Sequence, residues 1–469
     1  MPAPAHRNDP PPEDIDRLVG LFHGGDLAQV EAVGGELAQR FASSAVVWKV
    51  LGTSRLVAGR STDAVAALQR AVSLAPKDPD LHANLGNALR GVGRLAEAEQ
   101  HLQRSLKLNP QSPMALASLG NVLRQQRRPD VAINAYREAL KLQPLLAGAR
   151  QNLAVLEAAR GEFAQAEADY RHALAAQPDL LDGWVNLATL LQDTGRVREA
   201  QDVLSQGLRS VKAGQWMLAA LAITGCWILR DAQGAAQLFN AFQAQVSEAD
   251  RALREFFWVS ARLFDNMQRE PALYPAGDFA PLYVIGESHS LVPAHAVFPW
   301  VDGPVRAQPR LVQGVKMHHL GSKALNQWQA AIRAQLESVP ADAQVLFTIG
   351  EIDCRPDEGI WKAHKAGKGA LAYLVKNTVA GYVEWVAANV GARKVTLQGV
   401  PEPRRSPDDA FLAMVADVNA RLREACAARG WNFLDVHAAT AGAQGKWHLD
   451  DFHLKPAFYA NAMAFWRKR

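Results

Sequence analysis

The chain has 469 residues, too many for one ordinary core, and its 49% hydrophobic and 21% charged content excludes extended disorder. With 51 Lys and Arg against 47 Asp and Glu, the formal net charge of +4 leaves no electrostatic footprint for nucleic acid or an acidic membrane. The 3 cysteines, Cys226, Cys354 and Cys426, stand far apart and form neither a disulfide framework nor a zinc spacing, so a reducing compartment and no metal or other cofactor are expected.

The first residues are rich in proline and polar side chains and lack the apolar core of a secretory signal. No apolar run reaches the roughly 18 residues a membrane span needs, so the expectation is a cytoplasmic chain that crosses no bilayer. A repeat of 34 residues then dominates the first half. Leu51-Gly52, Leu85-Gly86, Leu119-Gly120, Leu153-Ala154 and Leu187-Ala188 keep this phase, as do Ala64, Ala98, Ala132, Ala166 and Ala200. Pro76, Pro110, Pro144 and Pro178 end successive units, and Gly59, Gly93, Gly161 and Gly195 mark the turn inside four of them, with Arg127 in the third. Small residues at two fixed positions let two antiparallel helices approach closely, and proline cannot continue a helix. Neither helix pair can bury its apolar face alone, so neighbours must stack. The pattern predicts an α-solenoid of tetratricopeptide repeats over residues 13–212, with a degenerate leading unit at 13–44 and five units from 45. Residues 213–279 lose the period but keep helical patterning at 215–229 and 248–268, which suits a helical cap and linker.

Asn84, Asn152 and Asn186 each precede the repeat leucine, with Ser118 in the third unit. Their side chains fall on one face, and an asparagine amide both donates to and accepts from an extended peptide backbone. The pattern resembles the asparagine ladder of O-linked N-acetylglucosamine transferases, which implies a protein or peptide partner in the repeat groove.

From residue 280 the pattern alternates. Apolar runs at 282–285, 311–315, 344–349, 394–400 and 432–436 read as strands, and amphipathic stretches at 323–336, 370–390, 408–428 and 456–466 read as helices. Alternation of this kind predicts a mainly parallel five-stranded sheet with helices on both faces, a three-layer α/β domain over 280–469. Polar blocks follow the strands, where such sheets bind ligands: Gly286-Glu287-Ser288-His289-Ser290, His318-His319-Leu320-Gly321, and Gly350-Glu351-Ile352-Asp353-Cys354-Arg355. Asp450 and His453 lie three apart just before the last helix.

On these blocks the domain resembles the SGNH or GDSL hydrolases, whose sheet is flavodoxin-like and whose serine follows the first strand. The resemblance implies Ser288 as nucleophile, His453 as the base that takes its proton, and Asp450 as the group that orients the imidazole. It also implies an oxyanion hole built from the backbone N–H groups of Ser288 and Gly321. The sequence departs from that family at two places. Glu287 stands where aspartate is usual, and Ile352 stands where an asparagine side chain normally completes the oxyanion hole. Arg355, Asn326 or a backbone amide could substitute. Glu287, His289, Glu351, Asp353 and Arg355 are candidate site-lining or substrate-binding residues, the last three as an ion network or a substrate grip. His289 beside the serine also occurs in some acyltransferase domains of the family and points to transfer onto a glycan or peptide hydroxyl. His318 and His319, adjacent in what reads as an extended segment, would face opposite ways and share no ion. Cys354 reads as a small buried residue, and Asp435 with His437 is a rival acid–base pair.

The expected function is therefore a serine esterase or acyltransferase acting on an acyl-ester or glycan substrate, with repeats that recruit a protein partner. The alternative is a catalytically degenerate adaptor.

Overall fold

A computed structural model describes residues 9–246, 251–402, 408–440 and 453–466. The chain divides into two compact units, Met1–Leu156 and Glu157–Arg469.

The first unit is helical throughout. Pro12–His23 pairs with Leu27–Arg40, Ala45–Val57 with Ser61–Leu74, Pro79–Gly91 with Leu95–Leu108, and Pro113–Gln125 with Pro129–Leu142. The leading pair is the degenerate unit. The repeat residues act as their sizes require. A Cβ on Gly52 would lie 2.5 Å from Leu68 Cγ, and one on Gly86 would lie 2.7 Å from Leu102 Cγ. Ala64, Ala98 and Ala132 are fully buried at the same crossings. The turn demands a left-handed residue, which Gly59 (φ 74°) and Gly93 (φ 79°) supply without strain; Arg127 adopts φ 60° in the third unit without that freedom.

The second unit joins the last repeats to the α/β domain. Its repeat helices Phe163–Ala176, Leu181–Asp193 and Val197–Ser210 are followed by Gln215–Leu229, Ala232–Val246 and Arg251–Arg269. The sheet has six strands, β1 (Ala280–Gly286), β2 (Val297–Trp300), β3 (Gly303–Leu311), β4 (Gln344–Phe347), β5 (Lys394–Gln398) and β6 (Asn432–Leu434), in the order β2-β3-β1-β4-β5-β6. All neighbours are parallel except β2, which runs antiparallel along β3 at the edge.

The expected five-stranded sheet is thus corrected to a mixed, six-stranded one. β2 and most of β3 escape periodicity because β2 has only 4 residues and the two strands carry Pro299, Pro304 and Pro309. β3 nevertheless alternates buried and part-exposed residues along 305–311. Ala307 bonds Ala296 and His295 on the β2 side, so Pro309, two residues on, faces the same side beyond the end of β2 and costs no ladder bond. The apolar run at 311–315 is the last residue of β3 and the loop that follows.

Helices cover both faces of the sheet. Tyr283, Ile285, Val345, Phe347, Val395 and Leu397 join a core with helices Gln327–Glu337, Leu371–Asn389 and Asp409–Arg429. The alternate residues Leu282, Val284, Val305, Ala307 and Leu346 join a second core containing Ile223, Trp227, Leu263 and Phe458. Helix Gln215–Leu229, apolar all round, is therefore part of the layer on that face, and Trp227 Nε1 donates to Leu291 O at 2.9 Å. The repeat side is tied in as well. Asp193 Oδ1 accepts from the Gln313 amide at 2.9 Å, and Gln335 Nε2 donates to the carbonyls of Gln192 and Asp193. Among the described residues no helix is long and apolar enough to cross a membrane.

Candidate functional site

The candidate site lies at the carboxyl end of β1, where the chain turns to one side to form β2 and β3 and then returns to the other to form β4. Ligands favour such a switch point. Gly286 is required there, because a Cβ would meet Thr348 Oγ1 at 2.2 Å and the Thr348 carbonyl at 3.2 Å. The chain then enters a one-turn 3₁₀ helix, Ser288–Leu291, with the Glu287 side chain as its N-cap.

Ser288 and His453 meet across 165 residues of sequence, with His453 Nε2 2.8 Å from Ser288 Oγ. His453 is 8% exposed, and the residues after it fix its place: Leu454 and Phe458 are buried in the core, and Tyr459 donates to Gln398 at the end of β5 at 3.0 Å. Asp450 lies outside the described residues.

Glu287 is more than a lining residue. Its buried carboxylate contacts Ser288 Oγ, accepts from the Ser288 amide, and bonds His289 Nδ1. The His289 ring stacks on that of His453, with centroids 4.7 Å apart and planes at 23°. Burial works to raise the Glu287 carboxyl, but the charge and hydrogen bond of His289, then His453 and the Ser288 bond, outweigh it and hold the group well below the usual carboxylate range. An ionised carboxylate only accepts. The Ser288 hydroxyl therefore donates to Glu287 in this arrangement, and His453 Nε2–H donates to Ser288 Oγ.

Around this core, Arg355 makes three hydrogen bonds to Glu351, at 3.0, 3.0 and 2.8 Å. Burial opposes the guanidinium charge, but Glu351, Glu287 and Glu358 outweigh it and keep Arg355 above its ordinary value. Asp353 does not join that pair. It is fully buried, accepts from the Met317 amide at 2.6 Å, and holds His318 Nδ1 at 2.9 Å. Nothing in the residue order signals this pairing of a buried Asp with an exposed His, which depends on β3 and β4 ending on the same edge. Glu287, His289 and Glu351 bring possible ligand atoms within 4.8 Å of one another, as a cation would need. Glu351 is committed to Arg355 and Glu287 to donors from Ser288 and His289, so the cluster is a charge-balanced hydrogen-bond network.

Several expectations are corrected. The Ser288 amide is engaged by Glu287, and the Gly321 amide donates to Met317 O at 3.1 Å. Gly321 is a packing glycine: its Cβ would lie 3.0 Å from Gly381 backbone in the neighbouring helix. Asn326 caps helix Gln327–Glu337, with Oδ1 accepting from Trp328 and Gln329 and Nδ2 donating to His319 O. These three are therefore not available to an oxyanion in this structure. His318 and His319 lie on a short helix, Met317–Leu320, not an extended segment, and His319 stacks on Trp328 at 3.5 Å. Asp435 pairs with Arg423 and caps Ala438. Burial, then Asp353 and Glu351, push the Cys354 thiol well up, so it stays protonated.

In the repeats, Asn84 Nδ2 donates to Thr53 Oγ1 at 3.0 Å, and Asn152 Nδ2 donates to Asn121 Oδ1 at 2.8 Å. Each bridges to the preceding unit. Asn186 is partly exposed on helix Leu181–Asp193.

The molecule is a helical-repeat array followed by a mixed α/β sheet. The family described as tetratricopeptide repeat matches residues 50–113 and 118–180, and a second description of the same repeat matches 157–220. The N-terminal region is thus built of tetratricopeptide repeats. Solved structures similar to it include PilF of Pseudomonas aeruginosa, 18% identical, covering 46% of this chain and 96% of that one with a TM-score of 0.40. A tetratricopeptide repeat protein from Parabacteroides merdae ATCC 43184 is 18% identical, covering 53% of this chain and 98% of that one with a TM-score of 0.41. MamA is 22% identical, covering 34% and 94% with a TM-score of 0.31. No curated protein matches the sequence.

Proposed function

We propose that the C-terminal domain is a serine-dependent carboxylic-ester hydrolase or acyltransferase, and that the repeats recruit a protein or peptide that carries or accompanies its substrate. One observation carries the catalytic reading: the 2.8 Å contact between Ser288 Oγ and His453 Nε2 at the switch point of the sheet. The parallel order β3-β1-β4-β5-β6, with Ser288 at the end of β1, also supports an SGNH-type reading.

In this reading His453 takes the tautomer with its proton on Nδ1 and Nε2 free, and the Ser288 hydroxyl turns from Glu287 to His453 Nε2 as it attacks. Glu287, held ionised by its neighbours, is a poor proton acceptor, whereas an imidazole is suited to the task at neutral pH. Oγ bonds to the acyl carbon, the proton passes to His453, and His453 returns it to the departing alcohol. Water or an acceptor hydroxyl then attacks the acyl-Ser288 ester, and the serine proton is restored. By its resemblance Asp450 orients His453. Arg355, paired with Glu351, would line the site from the loop after β4.

The second reading, a binding adaptor, draws on the oxyanion hole. Ile352 offers no donor, and the amides of Ser288 and Gly321 are already bonded. Loss of one such donor costs roughly 10²–10³ in rate. The two readings part on one experiment. The full chain is incubated with a fluorophosphonate probe beside a known serine hydrolase. Labelling that disappears in Ser288→Ala, with an unchanged circular dichroism spectrum, is expected for the enzyme. An unlabelled wild-type chain beside a labelled control means an adaptor. Product analysis with a sugar acceptor present then separates transfer from hydrolysis.

A further inference from the structure

In the first compact unit, one stripe of each leading repeat helix is only partly covered. On helix Pro79–Gly91 it carries Asn84, Asn87 and Arg90, and on helix Pro113–Gln125 it carries Asn121 and Arg124, all partly exposed. Steps of three residues keep these side chains on one helix face. Bonds between successive units place the faces in one groove, since Asn84 reaches Thr53 and Asn152 reaches Asn121. Arg90 and Arg124 stand one repeat apart and occupy the same place in neighbouring units.

This pair of guanidinium groups has no counter-charge. Neither meets a carboxylate among the described residues, and the Nε of each is buried with no acceptor. Asp78 and Asp80 are matched by Lys49, Glu97 by Arg94, and Glu99 by Arg128. The two charges converge on the Tyr136 phenol. Burial raises that phenol above its ordinary value, while Arg124, within hydrogen-bonding reach, and the charge of Arg90 act to lower it. Tyr136 neutralises neither, because it is fully buried and its hydroxyl is committed to Asn121 Oδ1 at 2.7 Å. Two like charges gathered around one buried phenol repel, and both are partly desolvated; an anion between them would relieve both costs.

The amides beside the pair are set to receive a main chain. Asn121 Oδ1 accepts from Tyr136 and, at 2.8 Å, from Asn152 Nδ2, which leaves Asn121 Nδ2 as an oriented, unbonded donor. The Asn87 amide makes no side-chain hydrogen bond among the described residues. Neither these amide groups nor the outer nitrogens of the two arginines are sealed from solvent, so a ligand in the groove can reach them.

We propose that the groove of the second and third units takes an extended acidic peptide, with an aspartate or glutamate carboxylate between Arg90 and Arg124 and the peptide main chain on Asn87 and Asn121. This names the chemistry of the partner and rests on the reading that the repeats recruit a peptide; it does not involve Ser288.

Fluorescence anisotropy of the full chain with labelled decapeptide pools tests it. Each pool is randomised except at one central position, fixed as glutamate, aspartate, glutamine, lysine or phosphoserine. The glutamate or aspartate pool should bind about tenfold more tightly than the glutamine pool, the scale of charge-assisted hydrogen bonds to one carboxylate, and the lysine pool most weakly. The preference should vanish when Arg90→Gln and Arg124→Gln are combined, with the circular dichroism spectrum unchanged. Each single substitution should weaken binding of the acid pools about threefold, and this comparison serves if the double variant does not fold. Pools that bind with no preference for acid, or a preference that survives in the folded variants, overturn the proposal and leave peptide recruitment standing. If no pool binds, both fall. A phosphoserine pool that binds well above the acid pools assigns the pair to phosphate and overturns the carboxylate.

Discussion

One carboxylate, Glu287, touches three groups that matter to the site: the Ser288 hydroxyl, the Ser288 amide and His289. Its depressed proton affinity makes it a stabilising group with a definite pH window. An acid whose folded value lies below its unfolded value adds stability above the ordinary glutamate value of 4.5 and loses it as pH falls toward the folded one. Glu287→Gln should therefore lower unfolding stability by about 3 kcal/mol near neutrality, the scale of breaking a buried pair. The gap to wild type should shrink below the ordinary glutamate value, and thermal unfolding between about pH 3 and 7 measures both. Ser288 and His453 were readable from the blocks they sit in. The direct contact of Glu287 with Oγ was not, because the extra methylene decides it only once the 3₁₀ turn is formed. Asp353 likewise reads as a partner of Arg355 by spacing, yet its carboxylate bonds the Met317 amide and His318.

At the level of elements, Gly321 and Gly381 show how spacing in sequence can mislead. A glycine in a polar block after a strand suggests a donor to substrate, but here two backbones cross. A Cβ on Gly381 would lie 2.9 Å from Gly321 Cα, and backbone cannot step aside as a side chain tip can. Gly381→Ala should cost about 1–3 kcal/mol of stability in urea unfolding, the scale of overpacking, although Gly381 is remote from the serine in sequence. Unchanged stability would return Gly321 to consideration as a catalytic donor. The amphipathic helices were legible to within a few residues, since their apolar stripes face the sheet. Helix Ala232–Val246 was missed because alanine and glutamine give little contrast between faces. β2 and β3 were missed because β2 is an edge strand of only 4 residues, and β3, between it and β1, carries Pro304 beside that short edge and Pro309 beyond its end.

For the whole molecule, the boundary between compact units falls between Leu156 and Glu157, not where the repeat period ends. The period reports helix pairing, which continues to residue 210, whereas compactness reports which pairs also lean on the sheet. Phe163 packs against the sheet core, and Asp193 reaches Gln313. Burial raises the Asp193 carboxyl to about 7 against its ordinary 3.8, with the Gln313 amide opposing. The folded chain thus takes up a proton between those values, and this residue's contribution falls as pH rises through them. Asn at this position keeps an acceptor for Gln313 and does not titrate. Asp193→Asn should raise the melting temperature most above pH 7 and least near pH 4, which scanning calorimetry at the two pH values checks.

Helix Gln215–Leu229 belongs to the covering of the sheet, with Trp227 anchored on the loop that follows the serine. The array and the α/β domain are consequently not interchangeable cassettes. Grafting other repeats onto residue 280 would leave one side of the strands naked and the serine turn unbraced, so recombination of this architecture has to cut upstream, among the repeats themselves.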